Sequence, residues 1–490
     1  MYKTIKDSTE LQYLIELGAQ GLMPIHPGPP TVSIAECLRI LRDKANAWTS
    51  FDLSVTKRLR VPWFFNPKFI TITHQRLTLS PWYDRGDVHI MPKVIDIMTC
   101  TPETARFPPC RWNEDNANPS PGAYSCNRYL DETQELVITV YMLSADTSTS
   151  DSIYQIHFRT ISMDIEHHLA NTSCLELTWW VPSNGERQSQ KTEVTVLGDR
   201  VALYIEVLVE DIDELNSYWS LHVWGWRGGG QSDDIYLSGE EYSLLEIRFL
   251  SNEKLLAITS RCCIEEYNVE DLSSAPQFQA RFRMPVIGLQ NLWFPHPPVF
   301  HSTSSCARLA APGERWIWTT NPEDRIICVM TSRPWSIFVI RAQLFFMDIP
   351  SSWFDAISED ELVVPWSSWG PHNSRCFPLD RDRSSQAVSG VGGFRIIQLI
   401  GTRMHMADFN PSAVARGVGK IVREPTTIPI GSMNSFTEDV TTYLPYVEVV
   451  NNDHEFGTLW DIILDEDKML IITPANVASE QAIDVEIIEM

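Results

Sequence analysis

Histidine, glycine and serine motifs are the first places where this 490-residue chain could carry chemistry. The nearest approach to a metalloprotease motif is Glu166-His167-His168, whose adjacent imidazoles cannot share one face of a helix, so we interpret it as a solvated turn. The glycine strings at 228–230 and 390–393 lack the Lys-Ser/Thr pair of a phosphate-binding loop. No G-x-S-x-G nucleophile elbow occurs. These motifs predict no catalytic residue, no metal site and no cofactor.

Acidic residues leave one catalytic alternative open, because a pair of carboxylates can hydrolyse a substrate without any recognisable motif. The chain has 63 Asp and Glu against 39 Lys and Arg, a formal net charge of -24. This charge repels nucleic-acid phosphates and anionic lipid headgroups, so we expect neither nucleic acid nor membrane as a partner. The ten cysteines include no C-x-x-C pair and are interpreted as buried reduced thiols.

Aromatic residues are the remaining candidates for a binding function. Trp366, Trp369 and His372 stand in a proline-interrupted stretch that cannot be a central strand, so we expect a loop with some of these rings near the surface. Tryptophan is enriched in interface hot spots, which makes these residues candidate contacts for a protein partner. Packing of the rings within the fold is the alternative.

Helical signals are concentrated in residues 1–50. Ser8 is a plausible N-cap, and Ser33 with Glu36 forms an S-x-x-E capping box. Apolar residues then recur at spacings of three and four up to Trp48. The sequence therefore predicts a short α-helical extension over residues 1–50.

After Phe51 the hydrophobic period changes from 3.6 to 2 and stays there almost to the end. Strand, tight turn, strand, turn, strand units recur, as over residues 192–226 and 244–268. Such antiparallel meanders build propeller blades, and residues 51–490 are predicted to be all-β, a degenerate WD-like β-propeller of about six to seven blades. To close the ring, strands at 76–79 or 87–90 are expected to share a blade with residues 483–488.

The N-terminus lacks the apolar core of a secretory signal, and no segment offers 18 uninterrupted apolar residues. The sequence therefore predicts a cytoplasmic or nuclear protein.

Five phrases spread over nearly the whole chain resemble a large group of basidiomycete F-box proteins. They are STELQYLIELGAQGL at 8–22, LRILRDKANAW at 38–48, VPWSSWGP at 364–371, DFNP at 408–411 and LPYVEVV at 444–450. In that family the first phrase directly follows the F-box, which docks on a Skp-type adaptor. Met1 falls where this module should be finishing, so the F-box is expected to be missing and adaptor binding is not carried over.

The resemblance implies a fungal protein-binding module, the substrate-recognition part of a ubiquitin-ligase receptor, with an unidentified protein as its target. Leu11, Tyr13 and Trp48 stand in the first two phrases and complete the set of predicted partner contacts with Trp366, Trp369 and His372. On this hypothesis the protein is not an enzyme. The alternative hypothesis is an intracellular propeller hydrolase or lyase, with acidic residues converging at the central channel.

Overall fold

The computed structural model describes most of the chain. The described residues are 2–24, 33–62, 65–73, 76–81, 93–96, 123–131, 134–143, 151–161, 163, 165–180, 186–211, 214–228, 236–240, 242–286, 292–294, 318–332, 335–354, 362–379, 389–417, 419–430, 436–465, 468–474 and 482–490. Their structure is mostly β, as the sequence predicts.

Three helices open the chain, and both predicted helix starts are confirmed. The helices are α1 (Tyr2–Asp7), α2 (Thr9–Gln20) and α3 (Ile34–Ser50). The Ser8 hydroxyl accepts a hydrogen bond from the Leu11 N–H, and the Ser33 hydroxyl accepts one from the Glu36 N–H. These side chains satisfy backbone donors that have no partner inside the helix. Within the described residues, no helix is both long and apolar enough to cross a lipid bilayer.

The strands fall into successive antiparallel sheets. After β1 (Leu22–Pro24) and β2 (Lys57–Pro62), sheet A contains β3 (Phe65–Thr73), β4 (Arg76–Pro81) and β5 (Lys93–Asp96). Sheet B contains β6 (Ala123–Asp131), β7 (Leu136–Leu143), β8 (Asp151–Thr160) and β9 (Cys174–Trp180). Sheet C contains β10 (Glu186–Leu197), β11 (Arg200–Asp211), β12 (Glu214–Gly225) and β13 (Leu237–Gly239).

The next two sheets continue this order. Sheet D begins with β14 (Leu244–Phe249), β15 (Lys254–Thr259), β16 (Cys263–Asn268) and β17 (Gln277–Arg283). The strands that follow are β18 (Leu292–Trp293), β19 (Trp318–Thr320), β20 (Ile326–Ser332), β21 (Trp335–Arg341), β22 (Val363–Val364) and β23 (Ser374–Pro378). Sheet E has the order β18-β20-β21-β23, and β22 joins sheet D in parallel beside β17. Strand β19 pairs with β1 and ties the helical segment to the sheets.

The last two sheets complete the chain. The remaining helices are α4 (Trp366–Asn373), which precedes β23, and α5 (Pro411–Arg416). The strands are β24 (Ser389–Gly392), β25 (Arg395–Ile400), β26 (Arg403–Asp408), β27 (Lys420–Val422), β28 (Thr426–Ile428), β29 (Val440–Thr442) and β30 (Tyr446–Val450), then β31 (Asp461–Leu464), β32 (Lys468–Pro474) and β33 (Ala482–Glu489). Sheet F has the order β24-β25-β26-β30-β27, and sheet G the order β2-β33-β32-β31.

Central strands bury both of their faces, which stacks each sheet against the next. On β11, Val201, Leu203 and Ile205 pack with residues of sheet B, whereas Ala202 and Tyr204 pack with residues of sheet D. Alternate side chains of a strand point to opposite faces, so one strand serves two cores. Hydrophobic clusters join sheets B and C, C and D, D and E, E and F, and F and G in turn.

Both ends of the β-region meet in sheet G. Strand β2 pairs antiparallel with β33, from Lys57 opposite Ile487 to Pro62 opposite Ala482. The prediction that the C-terminal strand shares a sheet with an N-terminal one is confirmed, but the predicted partner strand at 76–79 is wrong. That segment belongs to β4, which pairs with β3 and β5. The other predicted partner, 87–90, lies outside the described residues.

Candidate functional site

The predicted aromatic site at Trp366 and Trp369 lies in the core and not at the surface. The two side chains are 3% and 0% exposed, and their rings meet edge to face at 4.8 Å. The stretch is a helix, α4, and not the expected loop, and it contains Pro371 in its last turn. The expectation of surface rings is therefore wrong for both tryptophans. His372 is exposed and stacks on Tyr443 at 5.1 Å.

The predicted contacts on α2 are divided between two sides of the helix. Tyr13 is half-buried, and its hydroxyl accepts a hydrogen bond of 2.8 Å from the Trp318 indole N–H of β19. Leu11 is 37% exposed, and Leu14 and Ile15 beside it are 55% and 52% exposed. Tyr13 therefore holds the helix in place, whereas the three aliphatic residues form an apolar face in contact with solvent.

The Glu166-His167-His168 motif is not wholly solvated, because His167 is 3% exposed. Its Nδ1 accepts from the Leu169 N–H at 3.2 Å, so Nε2 carries the proton and donates to the Gln134 carbonyl at 3.0 Å. Burial is the main cause of its lowered pKa. Among the described residues, no group of three or more His, Cys, Asp or Glu side chains is placed to hold a metal ion.

Trp48, the last predicted contact, is buried but forms part of the wall of a cavity. The cavity measures about 330 Å³ and lies where α2, α3 and α5 meet strands β26 and β30 of sheet F. The Arg395 guanidinium lies over the Trp48 ring, 4.4 Å from its centroid. Trp48 itself is only 3% exposed, and its indole Nε1–H has no acceptor among the described residues. An unpaired buried donor is uncommon in folded proteins and merits a functional explanation.

The polar wall of this cavity is built from the β25–β26 hairpin and both ends of α5. Arg395 Nε donates to Asp408 Oδ2 at 3.1 Å, across a register in which the two residues face each other. Asp408 Oδ1 accepts from the Asn410 N–H at 2.9 Å. Arg416 Nη2 and Asn410 Nδ2 both donate to the Ala19 carbonyl at the end of α2. These contacts hold the helical segment onto sheet F around the cavity.

Glu448 also lines the cavity, and its charge is already compensated. Lys420 Nζ donates to Glu448 Oε2 at 2.6 Å, and His405 Nδ1 lies 3.6 Å from Oε1. Burial raises the pKa of Glu448, but the hydrogen bonds and charges of Lys420 and His405 outweigh it, so the net direction is downward. Glu448 is therefore a carboxylate with its own partners, separate from the Arg395–Asp408 pair.

A second cluster of charged residues lies on the first strands of sheets C and D, which run beside each other. Glu193 Oε1 pairs with Arg248 Nη1 at 2.5 Å, and Lys191 Nζ is 3.9 Å from Glu193 Oε2. Glu246 Oε2 accepts from the Phe294 N–H at 2.8 Å. Burial, aided by the charge of Glu193, raises the pKa of Glu246 to about 7 despite the opposing charge of Arg248.

The sequence analysis named some of the residues that line the cavity but did not predict a cavity. Trp48 was a predicted contact, and the DFNP phrase contains Asp408 and Asn410. Arg395 and Arg416 were missed, because isolated arginines in a strand and in a short helix carry no distinguishing pattern. The one available signal was the Asn-Pro pair at 410–411, in which Asn410 caps α5.

Comparisons with known proteins add no relative. A scan against protein-family models matches no family, and a search of the curated proteins finds none that matches. The F-box resemblance therefore rests on the five sequence phrases alone and stays a prediction.

Proposed function

We propose that sheets A to G are the seven blades of one closed β-propeller. Sheets B to G stack in chain order through shared hydrophobic clusters, and within each of sheets B to E the strands lie in the order of the chain. Strand β3 of sheet A runs beside β31 of sheet G, which is one of the contacts that a closed ring requires. Strand β2 on the edge of sheet G supports the same arrangement, because sharing a blade between both ends of the chain removes open sheet edges.

The function that this geometry supports best is protein binding, as the substrate-recognition part of an F-box-type ubiquitin-ligase receptor. The carrying observation is the apolar face of Leu11, Leu14 and Ile15 on α2. These residues follow the i, i+3, i+4 spacing with which one helix packs on another. Clustered exposed hydrophobic residues of this kind mark interaction sites.

The opposite side of α2 is fixed to the rest of the molecule, so the apolar face is presented in one orientation. Leu17 is buried against Cys37, Leu41 and Trp318. The Gln20 side chain donates to the Leu41 carbonyl at 2.8 Å. We propose that the occupant of the exposed face is an amphipathic helix of the protein that this receptor captures, since exposed Leu11, Leu14 and Ile15 have the spacing with which helices pack on one another.

Cross-linking mass spectrometry on tagged protein in fungal extract tests this proposal. We expect a partner whose cross-links map to residues 9–20 with wild type and are lost with Leu14→Glu. Ile400→Glu is the matched control, because Ile400 is 54% exposed against 55% for Leu14 but lies on β25 of sheet F. Equal cross-linking by both variants, or no cross-link to α2 with wild type, would contradict the proposal.

A hydrolase or lyase is the second candidate, favoured by the cluster around Glu246. In a closed ring the first strands of the blades line the channel, which would place Glu246, Glu193 and Arg248 near the axis. A carboxyl group with a pKa near 7 suits a general acid or base at neutral pH. This candidate requires turnover of some small substrate that Glu246→Gln abolishes and Glu253→Gln, on an exposed turn of sheet D, leaves unchanged.

A further inference from the structure

The cavity beneath α2 and α3 has the size and wall composition of a small-molecule site. Its volume of about 330 Å³ lies at the lower end of the range for ligand pockets. Ala45, Met406, Ala413, Val447 and Val449 supply an apolar surface along it. A ligand with a compact apolar body would therefore replace water that these side chains cannot hydrogen-bond.

Arg395 supplies the polar anchor of this cavity. Its side chain is 15% exposed, and only its Nε is engaged, with Asp408. The two Nη groups make no hydrogen bond to any described residue, while the Trp48 ring below holds the guanidinium in place. Two neighbouring N–H groups on a fixed, planar cation match the two oxygens of a carboxylate.

The local charge favours an anion, although the chain as a whole is strongly acidic. Arg395 pairs with Asp408, and Glu448 pairs with Lys420, which does not line the cavity, so Arg416 is left as a lining charge without an opposite partner among the described residues. Arg416 donates only to the carbonyls of Ala19 and Ser412 and has no carboxylate partner among the described residues. A charge-assisted contact in this partly buried setting is stronger than one in open water.

We propose that this cavity binds a small carboxylic acid with an apolar body. The carboxylate lies on the two Nη groups of Arg395, and the body lies against Met406 and Val449. Because the cavity wall is contributed by α2, α3 and sheet F together, the bound acid holds the helical segment onto the sheet. This proposal does not rest on the partner-binding function, since neither Leu14 nor Ile15 lines the cavity.

Calorimetric titration with octanoate tests the assignment, with octanol and inorganic phosphate as comparison probes. We expect octanoate to bind wild type, and octanol and phosphate to bind far more weakly, since each lacks one half of the recognised chemistry. Arg395→Met should weaken octanoate binding about tenfold or more through the loss of the charged contact. Arg403→Met is the matched control, because Arg403 is exposed on the same hairpin and pairs with Asn452.

A second variant and a second measurement cover the case in which Arg395→Met fails to fold. Ala45→Leu fills the cavity from α3 with a good helix former and should abolish octanoate binding. Hydrogen exchange of residues 34–50 should slow when octanoate is added. The proposal is overturned by any of four results: no octanoate binding by wild type at millimolar concentrations, equal binding of octanol, phosphate binding as tightly as octanoate, or unchanged binding by both Arg395→Met and Ala45→Leu.

Discussion

Two arginine–carboxylate pairs, one in sheet D and one in sheet F, illustrate how the same chemistry is used differently. In sheet D, Arg281 Nε donates to Glu265 Oε1 at 2.7 Å, and Tyr242 and Tyr267 both donate their hydroxyl groups to Oε2. Glu265 is fully buried and Arg281 nearly so. In sheet F, Arg395 reaches Asp408 through one nitrogen at 3.1 Å beside an open cavity.

The difference lies in whether the protein itself satisfies both members of the pair. Burial and the charge of Glu265 raise the pKa of Tyr267, so its hydroxyl stays protonated as a donor. Every oxygen of Glu265 is therefore held by the protein, and the pair is structural. In the sheet F pair, the two Nη groups of Arg395 are not bonded to Asp408. They can donate to a ligand in the cavity.

The largest expected effect is on the Arg281–Glu265 pair of sheet D, which we call the closed pair; the Arg395–Asp408 pair of sheet F is the open pair. Glu265→Gln removes the negative charge opposite buried Arg281 and should lower the free energy of unfolding by about 3–5 kcal/mol. Urea denaturation measures this loss, with Glu253→Gln as a control on an exposed turn of the same sheet. If the two variants lose equal stability, the contrast between closed and open pairs is wrong.

A pH-dependent effect is expected next, at Glu246. Because its pKa is about 7 in the folded protein and near 4.5 when unfolded, the folded state binds more protons between these values. Stability relative to Glu246→Gln is therefore retained below pH 4.5 and falls as the pH rises through 7, by up to about 3 kcal/mol at pH 8. Urea melts of both proteins at pH 4.5 and pH 8 measure the difference; a gap that does not change with pH would exclude the raised pKa.

The open pair should tolerate loss of its arginine better than the closed pair tolerates loss of its glutamate. Arg395→Met should cost about 1 kcal/mol, because Asp408 keeps its hydrogen bond from the Asn410 N–H and lies near the cavity. Denaturation of Arg395→Met beside Arg403→Met gives this number. A loss as large as that of Glu265→Gln would show that the sheet F pair is structural too.

The smallest effect is expected on the apolar face of α2. Leu14→Glu should change the free energy of unfolding by no more than about 0.5 kcal/mol, because the side chain contacts mainly solvent. Leu17→Glu, three residues on, places a charge in a buried cluster and should cost several kcal/mol. Thermal melts of the two variants separate these faces, and similar losses would mean that Leu14 is packed.

Local signals predicted much of the fold. The N-caps at Ser8 and Ser33 and the tight-turn meanders over 192–226 and 244–268 are confirmed, since each depends on residues within a few positions of one another. The strand that pairs with β33 was predicted wrongly. Apolar runs near residue 60 and near residue 80 are both able to form a strand beside β33, and the sequence pattern does not choose between them. Register between distant segments is decided by packing, which no local pattern encodes.

The candidate site was predictable only in fragments. Trp48 was chosen for its place in a phrase, and Arg395 acquires meaning only because the fold sets its guanidinium over that ring. Trp366 and Trp369 were predicted to contact a partner near the surface. Instead, α4 buries both side chains in the core shared by sheets D and E.

The sequence by itself determined an all-β body behind a helical start, because periodicity and capping act between neighbouring residues. The tertiary structure alone decided which apolar residues meet solvent and which charges stay unpaired. Leu14 and Leu17 have the same side chain on the same helix, and only the packing of α2 against α3 and β19 exposes one and buries the other.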